Sequence, residues 1–553
     1  MPTVNFNKWK LLEKLKIDEK SLEEILFKLK SESKIIDENT IEIEVNADRP
    51  DLLISDGIKR AIDGLLSRKL GEAIYETFQS EYSLTVEEVK ARPYVVGAII
   101  RGLKIDEDYL REIIQFQEKL HSTVGRKRKK VAIGLHDLDK IDGKNIIYKE
   151  VTLDTRFIPL GYNKQLSIKE VIEFTPQGIE YGKISLRENK IPAITQDNGE
   201  ILSIPPIINS EKTKITTLTT NLFVDITGTS LDAIIETLDI IVTNFAEAGA
   251  KIGIINLNSN YLEKSPVLKK RNLTINTNYI NKVLGTSFDI DVIVNELLKA
   301  RISVSKVSEE LINIIIPPYR VDLKTPIDIV EEVAMMIGYE NLIPKQFYPR
   351  STGKISQKSI ISRKLRDLVI GAKYEEILTF VLISSKYLNG EYVKISNPVS
   401  EEYNAVRNSL LPNILLFLRR NQYARFPVRI FEIGEVVVRD HNSDTGYSNE
   451  FRLGIAIMNS KVSYEELQSD IHSILLSLGL QPEYKSVNDD KFIKGRVSKI
   501  IVNNIEIGIL GEINPEILEN LEIYYPVVAG ELYLDKIQTI LFGGGVSDSN
   551  MPN

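Results

Sequence analysis

A chain of 553 residues cannot close around one hydrophobic core. Single cores stop growing at roughly 250–300 residues, so a chain of this length divides into about three to five domains. Hydrophobic residues at 43% and charged residues at 27% give those domains an ordinary soluble composition. Their boundaries come from the pattern along the chain.

Residues 1–80 read as a small N-terminal α/β unit. Leu22, Ile25, Leu26 and Leu29 form a helical stripe, and Ile41, Ile43 and Val45 alternate as a strand. Asn46-Ala-Asp-Arg-Pro50 breaks the pattern before a second helix carrying Ile58, Ala61, Ile62 and Leu65. Residues 81–90 are polar and Glu-rich and read as a linker. A mixed α/β domain is expected over 88–265. It contains a strand at Val95–Ile100, a helix through Leu110, Ile113, Leu120 and Val124, and the strongest helix of the chain. That helix follows Thr229-Ser230, runs through Leu231, Ile234, Ile235, Leu238, Ile241, Val242 and Phe245, and stops at Gly249.

Residues 268–345 read as a small winged-helix-like α/β domain. Its last helix opens at Thr325-Pro326 and closes at Gly338. Lys345 to Lys354, with Pro349 and Gly353, reads as the next linker. From 355 to 540 the pattern is an antiparallel sheet with helices, and 541–553 reads as a disordered tail. The expected fold class is therefore multidomain α+β.

Composition excludes several chemistries. With no cysteine there is no disulfide framework, thiolate zinc site or cysteine nucleophile. The four histidines, His121, His136, His441 and His472, never fall three to five apart, so no zinc site is built on one helix. The sequence lacks a phosphate-binding G-x-x-x-x-G-K-[ST] loop, a dinucleotide G-x-G-x-x-G after a strand, and G-x-S-x-G. No stretch has the roughly 18–20 apolar residues of a membrane span, and no apolar signal core opens the chain. The expectation is a cytoplasmic protein without a membrane role. The formal net charge of −7 argues mildly against a free-standing nucleic-acid binder.

Three local clusters carry candidate chemistry. Asp322 precedes a helix whose Asp328, Glu331 and Glu332 share one face, a set of oxygens that suits Mg²⁺. Taken alone, the same residues suit N-capping and the helix dipole better. Arg126, Lys127, Arg128, Lys129 and Lys130 form a cationic run that a phosphate backbone would neutralise, or a solvated loop. Leu202-Ser-Ile-Pro-Pro-Ile-Ile-Asn209 is rigid, donor-poor backbone that offers Ser203 and Asn209. Asp225 and Thr227, two apart on the strand before the long helix, point to the same face. At the local level, capping and turn chemistry explain these last residues better than a site does.

Several strings together resemble the β subunit of phenylalanine–tRNA ligase of the archaeal/eukaryotic type. They are Asn46-Ala-Asp-Arg-Pro-Asp-Leu-Leu53, Ala132-Ile-Gly-Leu-His-Asp-Leu-Asp139, Leu202 through Asn209, Thr227-Gly-Thr229, Arg320-Val-Asp322 with Asp328-Ile-Val-Glu-Glu332, and Asn397-Pro-Val-Ser400 through Arg407-Asn-Ser-Leu-Leu411. The resemblance spans nearly the whole chain.

It implies an α₂β₂ tetramer in which the absent α subunit joins phenylalanine, ATP and tRNA(Phe). The β subunit would scaffold the assembly and hydrolyse mischarged Tyr-tRNA(Phe). It further implies Mg²⁺ on Asp322, Asp328, Glu331 and Glu332. Asp225, with Ser203, Asn209 and Thr227 near it in the sequence pattern, is the candidate for the editing pocket, and the cationic run at 126–130 is the candidate tRNA-binding stretch. The C-terminal third resembles a class II ligase core without its chemistry. Active members carry Arg and Glu on one strand face, whereas Arg429 and Glu432 are three apart, on opposite faces. No arginine follows Gly543-Gly-Gly545. Such a region would dock on the α subunit. A free-standing mischarged-tRNA hydrolase and a non-catalytic tRNA scaffold remain the alternatives, and a self-sufficient ligase is disfavoured.

Overall fold

The computed structural model describes residues 1–346, 348 and 351–543, which divide into two units at 347/348. Residues 347, 349 and 350 of the expected 345–354 linker, and the tail from 544, including Gly544 and Gly545, lie outside the described residues. The helix Leu534–Phe542 takes the first two residues of the expected tail, because Leu534 and Ile537 are buried.

The first unit is built on three main sheets, beside a two-stranded ribbon of Arg156–Phe157 and Leu166–Ser167. The first is antiparallel, with Thr40–Glu44 between Thr3–Asn7 and Glu32–Ile35, and is covered by helices Lys8–Leu15 and Glu19–Lys28, the first of which packs on helix Ser55–Leu65. The third is also antiparallel, with Leu311–Ile316 between Arg271–Asn276 and Ser303–Lys306, beside helices Thr277–Leu284, Ile290–Lys299 and Pro326–Ile337.

The middle sheet has ten strands. From one edge it runs Ile208–Asn209, Ile201–Ile204, Lys190–Gln196, Asn145–Thr152 and Thr77–Val86. It continues through Lys251–Asn258, Tyr94–Arg101 and Asn221–Gly228 to Val131–Asp137 at the other edge, and the tenth strand, Lys264–Ser265, pairs with Lys251–Asn258 off this path. Strand Thr77–Val86 corrects the expected linker at 81–90. It is a central strand, parallel to both neighbours, with Leu84 fully buried. Its polar residues misled because a strand needs only alternate positions to be apolar.

Both faces of the middle sheet are apolar, which the alternation explains. Val96, Ala98, Ile100, Val224 and Ile226 face one way, toward helices Glu107–Ser122 and Leu231–Glu247. Val95, Ile99, Phe223 and Ile255 face the other way, with Leu84, Tyr148 and Leu202. The sheet curls far enough for its edges to meet. Asn209 on one edge strand donates from Nδ2 to the Leu135 carbonyl on the other, at 3.3 Å.

The second unit carries a seven-stranded sheet ordered Glu375–Glu376, Val428–Arg439, Tyr447–Met458, Val527–Tyr533, Ile505–Ile513, Phe492–Val502 and Glu483–Ser486. Only the first pair is parallel. Helices Gln357–Gly371, Tyr464–Ser477 and Leu534–Phe542 pack on one face and helix Leu411–Arg420 on the other. Arg429 pairs with Glu466 (2.5 Å) and Asp470 (2.8 Å) of helix Tyr464–Ser477. Glu432, on the opposite face, pairs with Arg407 at 2.8 Å.

Candidate functional site

A cavity of about 330 Å³ opens where the two edges of the middle sheet approach. One wall is the edge strand, from Ala132 to Leu135, with Asp225 of the neighbouring strand. A second is the Ser203–Asn209 hairpin, and a third is the face of helix Glu107–Ser122 that presents Gln117, Glu118 and His121. The Pro205–Pro206 peptide bond is cis and turns the hairpin back sharply.

Asp225 is buried, and its carboxylate has a fixed partner. His136 Nε2 lies 2.9 Å from Asp225 Oδ2, and His136 Nδ1 lies 2.7 Å from the Thr213 hydroxyl. The strand register places Phe223 opposite His136 and Asp225 opposite Gly134, so His136 reaches Asp225 diagonally across the pair. Gly134 makes this possible. A Cβ there would stand 1.9 Å from Asp225 Oδ2.

Ser203 lines the cavity, and its buried hydroxyl has no hydrogen-bond partner among the described residues. A buried orphan hydroxyl is costly unless a ligand or water completes it. Asn209 also lines the cavity, its amide engaged with Leu135. Thr227 stands outside the cavity wall, fully buried, its hydroxyl accepting from Arg92 Nε at 2.8 Å.

The helix wall is fixed by a second polar cluster. The Ile133 amide donates to His121 Nε2 at 2.8 Å, so the proton sits on Nδ1, which donates to Glu118 at 3.1 Å. Burial holds the His121 pKa below its ordinary value. Glu118 is pushed up by burial, but hydrogen bonds from His121 and Arg128 leave it below the usual carboxylate range. Arg128 donates to Glu118 (2.6 Å) and to the Pro206 (3.1 Å) and Ile207 (3.0 Å) carbonyls, and stacks on Tyr181.

The cationic run therefore divides. Arg128 folds inward, and Lys130 is half-buried. Arg126, Lys127 and Lys129 stay exposed.

The acidic cluster is not gathered as a metal site. Arg320, itself buried, binds Asp322 (2.7 Å) and Glu332 (2.6 Å). Asp328 closes a capping box with Thr325, and Glu331 pairs with Lys30 at 2.8 Å. Among the described residues no group of three or more His, Asp or Glu side chains is placed to hold a metal ion. A hard cation needs several converging oxygens. These carboxylates do not offer them, because a fixed guanidinium and an N-cap have taken them. Nearby, Arg49 (2.8 Å) and Arg60 (3.2 Å) grip Asp51 and, against burial, hold its pKa down at about 2.

Sequence reasoning missed His136 as the partner of Asp225, and missed Thr213, Glu118 and Arg92. One signal was present. His136 and Asp225 each interrupt an otherwise apolar strand, and a buried polar group in such a strand requires a partner.

Three family descriptions match the chain. The "B3/4 domain" matches residues 110–241, the "tRNA synthetase B5 domain" matches 273–339, and the "Phenylalanyl tRNA synthetase beta chain CLM domain" matches 343–534. The first span contains every residue of the cavity wall. The phenylalanine–tRNA ligase beta subunit of Sulfurisphaera tokodaii is 54% identical over 541 residues, which is 98% of this chain and 100% of that protein. Its counterpart in Sulfolobus acidocaldarius is 54% identical over 540 residues, 97% and 99% of the two chains. Among solved structures, an N-terminal fragment of the phenylalanyl-tRNA synthetase β-subunit from Pyrococcus horikoshii superposes with a TM-score of 0.59. It is 33% identical and covers 61% of this chain and 100% of the fragment.

Proposed function

The chain belongs to the family of phenylalanine–tRNA ligase β subunits, and from that premise we propose that its cavity hydrolyses tyrosine esterified to tRNA(Phe) while the second unit docks on an α subunit that performs ligation. The observation that carries this reading is the buried Asp225 carboxylate, which lines the cavity and is held there by His136.

The chemistry of selection supports it. Tyrosine exceeds phenylalanine by one hydroxyl, which an apolar synthetic pocket rejects only by about 100-fold. A site built to hydrogen-bond that hydroxyl works in the opposite sense. It rejects the ligand that lacks it by roughly 10⁴–10⁵, because its polar groups would be left unpaired. The phenol donates to Asp225. Ser203 supplies the free hydroxyl on the opposite wall, and Asn209 holds that wall closed. At about 330 Å³ the cavity is at the small end of ligand sites, sized for one aminoacyl group.

No side chain of the wall is an activated nucleophile, so an oriented water attacks the ester carbonyl. The ester C–O bond breaks, and the terminal ribose hydroxyl of the tRNA leaves with a proton as tyrosine is released. Arg126, Lys127 and Lys129 are free to meet the RNA phosphates. Arg128 and Lys130 act from within the loop.

In the second unit Arg429 and Glu432 are each committed to partners on opposite faces, so the sheet offers no paired grip for a nucleotide. ATP and the Mg²⁺ that accompanies it then belong to the α subunit, and the assembly is α₂β₂. Exposed Leu378, Phe380 and Leu382 form an apolar edge suited to that contact. No helix among the described residues is long and apolar enough to cross a membrane, and the substrate places the complex in the cytoplasm.

The test is deacylation of Tyr-tRNA(Phe) by the chain reconstituted with its α subunit. Asp225→Ala is expected to abolish release of tyrosine and leave phenylalanine charging intact. Unchanged release removes Asp225 from the site. Binding of tRNA without any release by the unaltered chain favours a non-catalytic scaffold. Full hydrolysis in the absence of α favours a free-standing hydrolase.

A further inference from the structure

Arg92 is fully buried, among the largest side chains of this chain to be so, and it forms no ion pair among the described residues. Burial pulls its guanidinium down to about 10, so it stays charged at neutral pH. A buried cation without a salt-bridge partner is expensive, and its donors must be satisfied by hydrogen bonds.

What Arg92 holds is specific. Its Nε donates to the Thr227 hydroxyl and its Nη2 to the Thr227 carbonyl, both at 2.8 Å. Its Nη1 donates to the carbonyls of Arg128 (3.2 Å) and Lys129 (3.4 Å). The Tyr148 hydroxyl anchors the Arg92 carbonyl at 2.7 Å. One guanidinium thus joins the strand that carries Asp225 to the loop that carries the exposed cations.

That loop is under strain. Arg126, Lys127 and Arg128 follow one another at φ of +49°, +54° and +63°. Side chains with a Cβ avoid this region, and three in succession persist only when surrounding contacts over-determine them. Arg92 grips the loop from beneath. From above, Arg128 grips Glu118 and the carbonyls of the cis-proline turn.

We propose that Arg92 is a positioning residue that couples RNA capture to hydrolysis. It fixes the 126–129 loop so that Arg126, Lys127 and Lys129 face the RNA, and with the same fork it fixes Thr227 beside Asp225. The proposal rests on the reading of the cavity as an editing site, but its first readout does not.

That readout is the salt dependence of binding to uncharged tRNA(Phe), measured on the reconstituted complex. Each cation that meets a phosphate contributes roughly 0.7–0.9 to the slope of log Kd against log salt. Arg92 touches no solvent, so a purely structural role cannot alter that slope once the active fraction is counted. Arg92→Gln is expected to lower its magnitude by about 2, the share of three exposed cations. Adding Lys127→Ala and Lys129→Ala to Arg92→Gln should lower it little further.

The KM for Tyr-tRNA(Phe) deacylation should rise by about tenfold or more, whereas ATP–pyrophosphate exchange, which needs no tRNA, stays unchanged. Should Arg92→Gln fail to assemble, Arg92→Lys serves instead. It keeps the buried charge but cannot span four acceptors, and the same loss of slope is expected. A slope equal to that of the unaltered complex in whichever variant assembles overturns the proposal. Absence of tyrosine release by the unaltered complex would overturn the editing reading and leave the slope measurement standing.

Discussion

Gly134→Ala isolates the position of the Asp225 carboxylate without removing any functional group. Gly134 lies in the strand Val131–Asp137 and does not have the positive φ that favours glycine, so the backbone accepts alanine. The new Cβ would stand 1.9 Å from Asp225 Oδ2, 2.7 Å from its Cγ and 2.9 Å from His136 Nε2. Contacts of that kind do not occur below about 3.0 Å, so the carboxylate must retreat by about 1 Å. The 2.9 Å bond to His136 is then lost or badly bent.

A misplacement of about 1 Å at a reacting or orienting group costs on the order of 100-fold in rate. A hydrogen bond to a charged group contributes about 1.5–3 kcal/mol to stability. Deacylation of Tyr-tRNA(Phe) by the reconstituted complex should therefore fall about 100-fold in kcat/KM, with phenylalanine charging unaffected. The urea midpoint should fall modestly. Deacylation within about threefold of the unaltered complex would refute the reasoning, since the carboxylate would then act wherever it sits.

Two further outcomes follow from buried charges. Arg320→Met leaves Asp322 and Glu332 facing each other in the interior without their shared cation. Such a loss typically costs about 3–5 kcal/mol, read as a lowered urea midpoint; a midpoint unchanged from the parent would mean that the cluster is solvated or otherwise neutralised. Asp239 is buried in helix Leu231–Glu247 and accepts the Leu268 (3.1 Å) and Lys269 (3.2 Å) amides, yet burial raises its pKa to about 7. The folded chain thus keeps a proton that the unfolded chain has released. Stability from this group is complete below the ordinary carboxylate range and is lost as pH rises through 7. Asp239→Asn should flatten the decline in unfolding free energy between pH 5 and 7.5, and identical pH profiles for the two proteins would show that Asp239 is charged throughout.

The helices were legible because each has an apolar stripe and a stop. Leu231–Glu247 follows from seven apolar positions at helical spacing and a glycine at 249. The helix that closes the 268–345 domain followed from Thr325-Pro326 at its start and Gly338 at its end. The strand at 77–86 was missed although Phe78, Tyr82, Leu84 and Val86 alternate along it and pack on one core, because Ser80 breaks the apolar series and Glu81 and Ser83 between them gave the stretch the polar look of a linker. For the site, Asp225 and Ser203 were visible as polar residues in rigid apolar strings. Thr227 was placed on the right strand, but its hydroxyl belongs to Arg92. The four carboxylates at 322–332 were grouped by helical spacing, yet spacing says nothing of Arg320, whose guanidinium already neutralises two of them.

The sequence by itself determined that the chain is multidomain α+β, that it has no thiol chemistry, and that certain polar residues sit where apolar ones belong. Those are local properties, written in composition and in periods of 2 and 3.6 residues. Only the tertiary structure decided which of those residues meet. His136 and Asp225 are 89 positions apart, and the walls of the cavity come from opposite edges of one curled sheet. Strand order and sheet curvature arise from the packing of all strands together, so no window of sequence contains them.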